Sequence, residues 1–227
     1  LELIRQKQDL QGYRERHWIG GVSDYMEIVL SNPRVARNAY QRLHDMILSH
    51  GVTEYTRHHE KYLHYHLFDD PIDSGRDAVF GLDAPLMRLV NNIKSAAFGY
   101  GTEKRILLLH GPVGSSKSTI ARLLKKGLEV YSNQKEGALY TYGWRLDANT
   151  TGHDGIQWCP MHEDPLHLLP VEAQDAVYAE INRKLAARDS RIVPTGNLCP
   201  FCRKNYQHLM TGYDGHWERV SRHVVAR

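Results

Sequence analysis

Apolar residues recur along this chain with two different periods, and the periods divide it into elements. Val35, Ala39, Leu43 and Ile47 repeat every four positions, which predicts a helix over Pro33–His50. Asn32 is its expected N-cap, Pro33 its first residue, and Gly51 lies past its end. A second helix is predicted over Ala84–Phe98, with Leu86, Leu89, Val90, Ile93 and Ala97 on its core face, Asp83 as cap and Gly99 as stop. Ile106–Leu109 is a short apolar run that predicts a buried strand. It is followed after a loop by Ile120, Leu123, Leu124 and Leu128 at helical spacing. Ala138–Leu146 alternates, with Tyr140, Tyr142 and Trp144 on one side, and predicts a strand parallel to Ile106–Leu109 through a βαβ crossover. Pro170 opens a further helix, lined by Ala173, Val177, Ile181 and Leu185.

Elsewhere the pattern is weak. Residues 1–20 are charged and polar and read as a poorly ordered arm or a short helix, with a helix start at Asp24 and Glu27. Residues 147–155 read as a loop or insertion, the chain from Arg191 as irregular, and His216–Ala226 as neither strand nor helix. The expected organisation is an N-terminal arm over residues 1–31 and an α/β domain over 32–227.

Composition narrows the function classes. The 227 residues carry a net charge of +3 and no Lys/Arg stripe interleaved with aromatics, so nothing calls for a specific nucleic-acid partner. No apolar run reaches the length of a membrane span, and the start does not resemble a secretion signal. The chain begins at Leu1 rather than Met, as a fragment would. Three cysteines, two of them in a C-x-x-C, suit a reducing cytoplasm and metal binding better than a disulfide framework.

The candidate chemistry centres on Gly111-Pro112-Val113-Gly114-Ser115-Ser116-Lys117-Ser118-Thr119, between the predicted strand and helix. This is the phosphate-binding P-loop, G-x-x-x-x-G-K-[ST], with Ser116 in place of the second glycine. Loop N–H groups and the positive end of the helix face a polyphosphate, Lys117 adds a full charge, and the Ser118 hydroxyl suits Mg2+. Upstream, Phe80-Gly81-Leu82-Asp83 is a turn ahead of a helix, where many ATPases seat adenine; it reads equally as a plain inter-helix turn.

Two further clusters stand out. Cys159-Pro-Met-His162 and Cys199-Pro-Phe-Cys202 are paired x2 knuckles that make a Cys3His set of the kind zinc prefers, within a region spanning 156–205. The alternative is three reduced cysteines and an unrelated histidine; a redox role lacks a thioredoxin-like setting. His58, His59, His64 and His66 match no recognised ligand spacing and read as a connecting segment, with Tyr62, His64 and His66 on one strand face. His162-Glu163-Asp164-Pro165-Leu166-His167 is not the H-E-x-x-H of metalloproteases, because the second histidine falls five residues after the first and Pro165 breaks the helix.

Four blocks in order resemble the PrkA family of bacterial serine protein kinases: FGLDAPLMRLVNNIKSAAFG, ILLLHGPVGSSKSTIARLLKKGLE, CPMHEDPLHLLP and GNLCPFCRKNY. The resemblance implies the N-terminal part of an AAA+ P-loop ATPase domain with a kinase-like domain following. It also implies ATP and Mg2+ as cofactors, a protein substrate, and ring-type homo-oligomers. By that resemblance Gly111, Gly114, Lys117 and Ser118 bind phosphates and Mg2+, and Gly81-Leu82 lie near adenine. The family loop reads GPVGGGKS, whereas Ser115 and Ser116 stand here for two glycines. No apolar strand ending in Asp-Glu follows the loop; the family's equivalent, with its arginine finger, lies further on. The readings in view are therefore a serine/threonine protein kinase, an ATP-driven remodelling or protease-type ATPase, and an idle zinc-stabilised nucleotide sensor.

Overall fold

The computed structural model describes residues 12–13, 17–146, 155–187, 189–194 and 196–227. The readings for 1–11, 14–16 and 147–154, within the expected arm and the expected loop, lie outside the described residues. In chain order the helices are α1 (Val22–Ser31), α2 (Ala39–Ser49), α3 (Asp83–Ala97), α4 (Lys117–Ser132), α5 (Val171–Arg183), α6 (Pro200–Gly212) and α7 (Trp217–Ser221). The strands are β1 (Val52–Arg57), β2 (Glu60–Tyr65), β3 (Tyr142–Arg145), β4 (Ile156–Trp158) and β5 (Val224–Ala226). No helix among the described residues is long and apolar enough to cross a membrane.

The chain forms two units, each discontinuous in sequence. Arg37–Ala138 with Ala186–Ile192 make one; the described residues up to Ala36, with Leu139–Leu185 and Val193–Arg227, make the other. The division expected at residue 31 therefore does not coincide with a unit boundary, since α1 packs in the same unit as β3 and β5.

The Arg37–Ala138 unit is mostly helical. Met46 and Ile47 from α2, Leu86, Val90 and Ile93 from α3, Ile120 and Leu123 from α4, and Leu67 and Phe68 make one apolar core. Gly127 lets α4 approach closely: a Cβ there would lie 2.5 Å from Met46 Sδ and 3.1 Å from Leu67 Cδ1. The helix predicted from Pro33 is broken. Pro33–Ala36 is a 3-10 turn and α2 starts at Ala39, because Asn38, not Asn32, completes a capping box. Asn38 Oδ1 accepts from Gln41 N at 3.0 Å, and Gln41 Oε1 accepts from Asn38 N at 3.1 Å. Buried Gln41 and Arg42 then reach backbone carbonyls: Gln41 Nε2 donates to Ala97 and Arg191, and the Arg42 guanidinium to Gly137 and Ala138. A buried guanidinium is tolerable on those terms. β1 and β2 form an antiparallel hairpin from Val52↔Tyr65 to Arg57↔Glu60.

The other unit carries a three-stranded sheet in the order β4-β3-β5, antiparallel throughout. Tyr142 and Trp144 point into its core with Val22, Leu168, Val220, Val224 and the three cysteines. Tyr25 on α1 donates to Asp164 Oδ2 at 2.7 Å, while Asp164 Oδ1 accepts from Leu166 N at 2.8 Å, so one carboxylate ties α1 to the turn that follows.

The parallel pairing expected between Ile106–Leu109 and Ala138–Leu146 is not formed. Alternation identified β3 but not its neighbours, which are β4 and β5, both antiparallel to it. Ile106–Leu109 has no strand partner among the described residues, and Ile106 and Leu108 are 96% and 82% exposed. An apolar run becomes a buried strand only with pairing and coverage on its faces. The region expected to be irregular or unassigned holds α6, α7 and β5, the last of which closes the sheet.

Candidate functional site

The loop Gly111–Ser116 opens directly into α4. Its shape depends on two left-handed residues, Gly114 at φ +84° and Ser116 at φ +56°. Glycine takes that conformation freely, whereas a side-chain-bearing residue pays about 1–2 kcal/mol. Lys117 folds back over the loop: its Nζ donates to Gly111 O at 2.9 Å, Pro112 O at 2.6 Å and Ser115 Oγ at 2.9 Å. Ser115 Oγ in turn donates to Pro112 O at 2.8 Å. The N–H groups of Lys117, Ser118 and Thr119 lie in the first turn of α4, where a helix supplies no acceptor of its own. Ser118 is exposed and Thr119 half-buried. The donor set is one ammonium, first-turn amides at the positive end of a 16-residue helix, and a hydroxyl. It fits a polyphosphate, whose charged oxygens accept more strongly than the carbonyls that now hold Lys117.

α4 is anchored beneath the loop. Ile120 and Leu123 are buried, and on the polar side Lys126 pairs with Asp73 and, at 3.0 Å, with Asp77; Arg122 Nε is 3.0 Å from Asp77. The Lys126 ammonium beside Asp77 holds its carboxyl below the usual range, despite some desolvation.

Gly81 and Leu82 belong to the same unit. Gly81 takes φ +71°, and Leu82, at the N-cap of α3, packs against the apolar core. Asp83 does not cap α3 as expected; it is the first helical residue, and its carboxylate turns to the hairpin. Tyr55 OH donates to Asp83 Oδ2 at 2.6 Å, and His64 Nδ1 lies 2.8 Å from Asp83 Oδ1. His64 Nε2 is 2.9 Å from both oxygens of Asp69, and His66 Nδ1 is 3.1 Å from Asp69 Oδ2. The hydrogen bonds to Asp69 and Asp83 raise the His64 pKa. Both ring nitrogens face carboxylates, the arrangement of an imidazolium rather than a metal ligand. His66 leaves β2 for the 3-10 turn that follows, so the strand face expected to carry Tyr62, His64 and His66 ends at Tyr65. His58 and His59 form the hairpin turn, both with positive φ.

In the sheet unit the two knuckles converge, but with a different membership from the one expected. Cys159, Cys199, Cys202 and Glu163 offer ligand atoms all within 4.8 Å of one another. His162 is exposed, at φ +50° in the turn, and is not among them. The turn that follows Cys159 turns His162 outward and brings the next residue, Glu163, inward. Its Oε1 accepts from Cys199 N at 2.8 Å and its Oε2 from Tyr142 OH at 3.2 Å. Only the H-E adjacency in the sequence hinted at this residue. Burial pushes the Cys202 thiol up to about 12 and the Cys159 thiol upward as well.

A glycine-bearing loop closed on a lysine, opening into a helix with Lys-Ser-Thr in its first turn, is the phosphate cradle of the P-loop NTPase class. Residues 20–226 match the family described as the PrkA AAA domain. The curated "ATP-dependent protease PrkA" of Bacillus subtilis (strain 168) is 36% identical over 216 residues, covering 93% of this chain and 28% of that protein's length. No solved structure matches. The chain belongs to the PrkA AAA domain family, and is thereby an α/β, nucleotide-binding domain of the AAA type. It spans little more than a quarter of the relative's length.

Proposed function

We propose that residues 111–119 hold the phosphates of ATP and that the chain is the nucleotide-binding part of an ATP-driven machine of the protease-associated AAA type. The observation that carries this is the Lys117 ammonium, held over the loop by Gly111 O, Pro112 O and Ser115 Oγ at the N-terminus of α4. In the bound state the first-turn amides of α4 and Lys117 contact the phosphates, and Ser118 ligates Mg2+, which neutralises phosphate charge. Gly114 gives the backbone close approach, and Gly81-Leu82 line the adenine side. A ring of copies, a protein substrate and a cytoplasmic, bacterial setting belong to the same proposal; three unbridged cysteines suit a reducing compartment.

The Bacillus relative is named an ATP-dependent protease, which favours this reading over a serine/threonine protein kinase. The kinase set of Gly-rich loop, V-A-I-K, H-R-D and D-F-G is absent from these residues, so phosphoryl transfer to a protein serine would need an unusual mechanism or a domain outside them. Titration of the purified chain with a fluorescent ATP analogue, with and without Mg2+, tests the site. Lys117→Ala should weaken binding about tenfold or more, the loss of a charge-assisted hydrogen bond. Equal binding by that variant would remove the assignment. Appearance of free phosphate without labelled acceptor protein supports the ATPase reading, and transfer to serine supports the kinase.

A further inference from the structure

We infer that the sheet unit holds a structural zinc ion, ligated by Cys159, Cys199, Cys202 and Glu163. Nothing in this inference depends on nucleotide.

The geometry comes first. Cys159 Sγ and Cys199 Sγ are 4.0 Å apart, twice the length of a disulfide bond. Sulfurs about 2.3 Å from one tetrahedral zinc stand about 3.8 Å from each other. The four ligand atoms, all within 4.8 Å of one another, therefore need to contract only slightly around an ion. The elements that deliver them are fixed. Cys159 follows β4, and Cys199 is the N-cap of α6, with Pro200 at the first helical position and Cys202 one turn on.

The second argument is the hydrogen bonding of the sulfurs. Each accepts one N–H: Cys159 from Glu163 N at 3.5 Å, Cys199 from Cys202 N at 3.4 Å, and Cys202 from Trp144 Nε1 at 3.4 Å. A neutral thiol is a weak acceptor and a thiolate a strong one, so a shell with one donor per sulfur is suited to metal-bound thiolates. The positive end of α6 adds to this. The third argument is Glu163. Reduced cysteines pack readily as small apolar residues. Glu163 is a carboxylate set among them: its Oε2 lies 3.5 Å from Cys159 Sγ, close enough to share an ion with the sulfurs, and it accepts from the Cys159 thiol and from Tyr142 OH. An anion at that position is suited to be the fourth ligand. Its other oxygen is held by Cys199 N–H, the outer-shell contact that orients a ligand.

Three soft thiolates and one carboxylate with no open position suit zinc in a closed, structural site. Binding releases the three thiol protons to solvent, and no electron moves. The ion would join β4, the turn after it and α6, since Cys159 and Cys199 are 40 positions apart in sequence.

The purified 227-residue chain, prepared without chelator, should contain about one zinc per molecule by elemental analysis. X-ray absorption at the zinc edge should give three sulfurs near about 2.3 Å and one oxygen near about 2.0 Å. Glu163→Gln should lower zinc affinity about tenfold or more against a chromogenic chelator, and His162→Ala should leave it unchanged. Should Glu163→Gln fail to fold, the absorption spectrum of the unsubstituted chain decides alone. Substoichiometric zinc with three freely titrating thiols overturns the inference. So does a Cys199–Cys202 disulfide by mass, a nitrogen-ligated spectrum, or zinc lost from His162→Ala and kept by Glu163→Gln.

Discussion

One unit carries its candidate chemistry outside its core and the other within it. In the Arg37–Ala138 unit the P-loop residues lie outside the core cluster of Met46, Leu67, Phe68 and Leu123, on the loop that starts α4. In the sheet unit the candidate ligands are themselves core residues, with Cys159 and Cys202 at most 1% exposed and packed among Tyr142 and Trp144. The first arrangement separates stability from function; the second merges them. Substitutions in the two cores should therefore have different consequences even where their energetic costs are alike.

The largest expected effect tests that difference directly. Trp144 is fully buried and donates to Cys202 Sγ, so Trp144→Ala removes a large side chain and the sulfur's donor together. It should destabilise by about 3–5 kcal/mol in urea unfolding and increase the rate at which a thiol reagent labels the cysteines. Leu123→Ala, also at a fully buried position, should cost about 2–5 kcal/mol. The folded fraction of Leu123→Ala should nevertheless bind the ATP analogue with unchanged affinity. If nucleotide affinity falls with stability there, or thiol labelling is unchanged in Trp144→Ala, the two cores do not differ as described.

A smaller effect is expected within the loop. Ser116 holds φ +56°, in the conformation for which the family's glycine is suited. Ser116→Gly should remove about 1 kcal/mol of backbone strain, partly offset by the greater freedom of glycine in the unfolded chain. The net gain should be about 0.5 kcal/mol by urea titration. A loss of stability would show that the serine side chain is itself holding the loop.

How much of each unit was legible in the sequence follows from how local its signals are. The loop, Lys117 and the core face of α4 lie within one contiguous stretch, and the apolar positions of α3 were read correctly for the same reason. Asn38 was overlooked because the four-residue stripe runs on through Pro33–Ala36, although Gln41 three residues later marks the better cap. The partners of β3 were misread because alternation reports a strand's faces and not its neighbours, and β5 is some eighty residues away in sequence. Glu163 was missed for a related reason. The ligand pattern C-x-x-H is a statement about spacing, and only the left-handed turn at His162 shows which of two adjacent side chains faces inward.

The smallest effect distinguishes the units by pH. In the hairpin of the Arg37–Ala138 unit, hydrogen bonds to Asp69 and Asp83 raise the His64 pKa above its unfolded value of about 6.5. The same bonds outweigh burial at Asp69 and Asp83 and hold both carboxyls below their usual range, so both remain ionised above pH 5 or so. A histidine with a raised folded pKa contributes its full stabilisation below the unfolded value and loses it as pH rises through the folded one. Burial lowers the His44 pKa to about 4 and lowers that of His50 as well, so both add stability as pH rises past the unfolded value of about 6.5 and stop contributing slope about one pH unit above it. The His64 contribution, read as the stability of the unsubstituted chain minus that of His64→Asn, should therefore decline as pH rises from about 6.5 through the folded His64 pKa. Thermal unfolding of both proteins across a pH series checks this, and a difference between them that stays flat or rises with pH would assign the titration to another group.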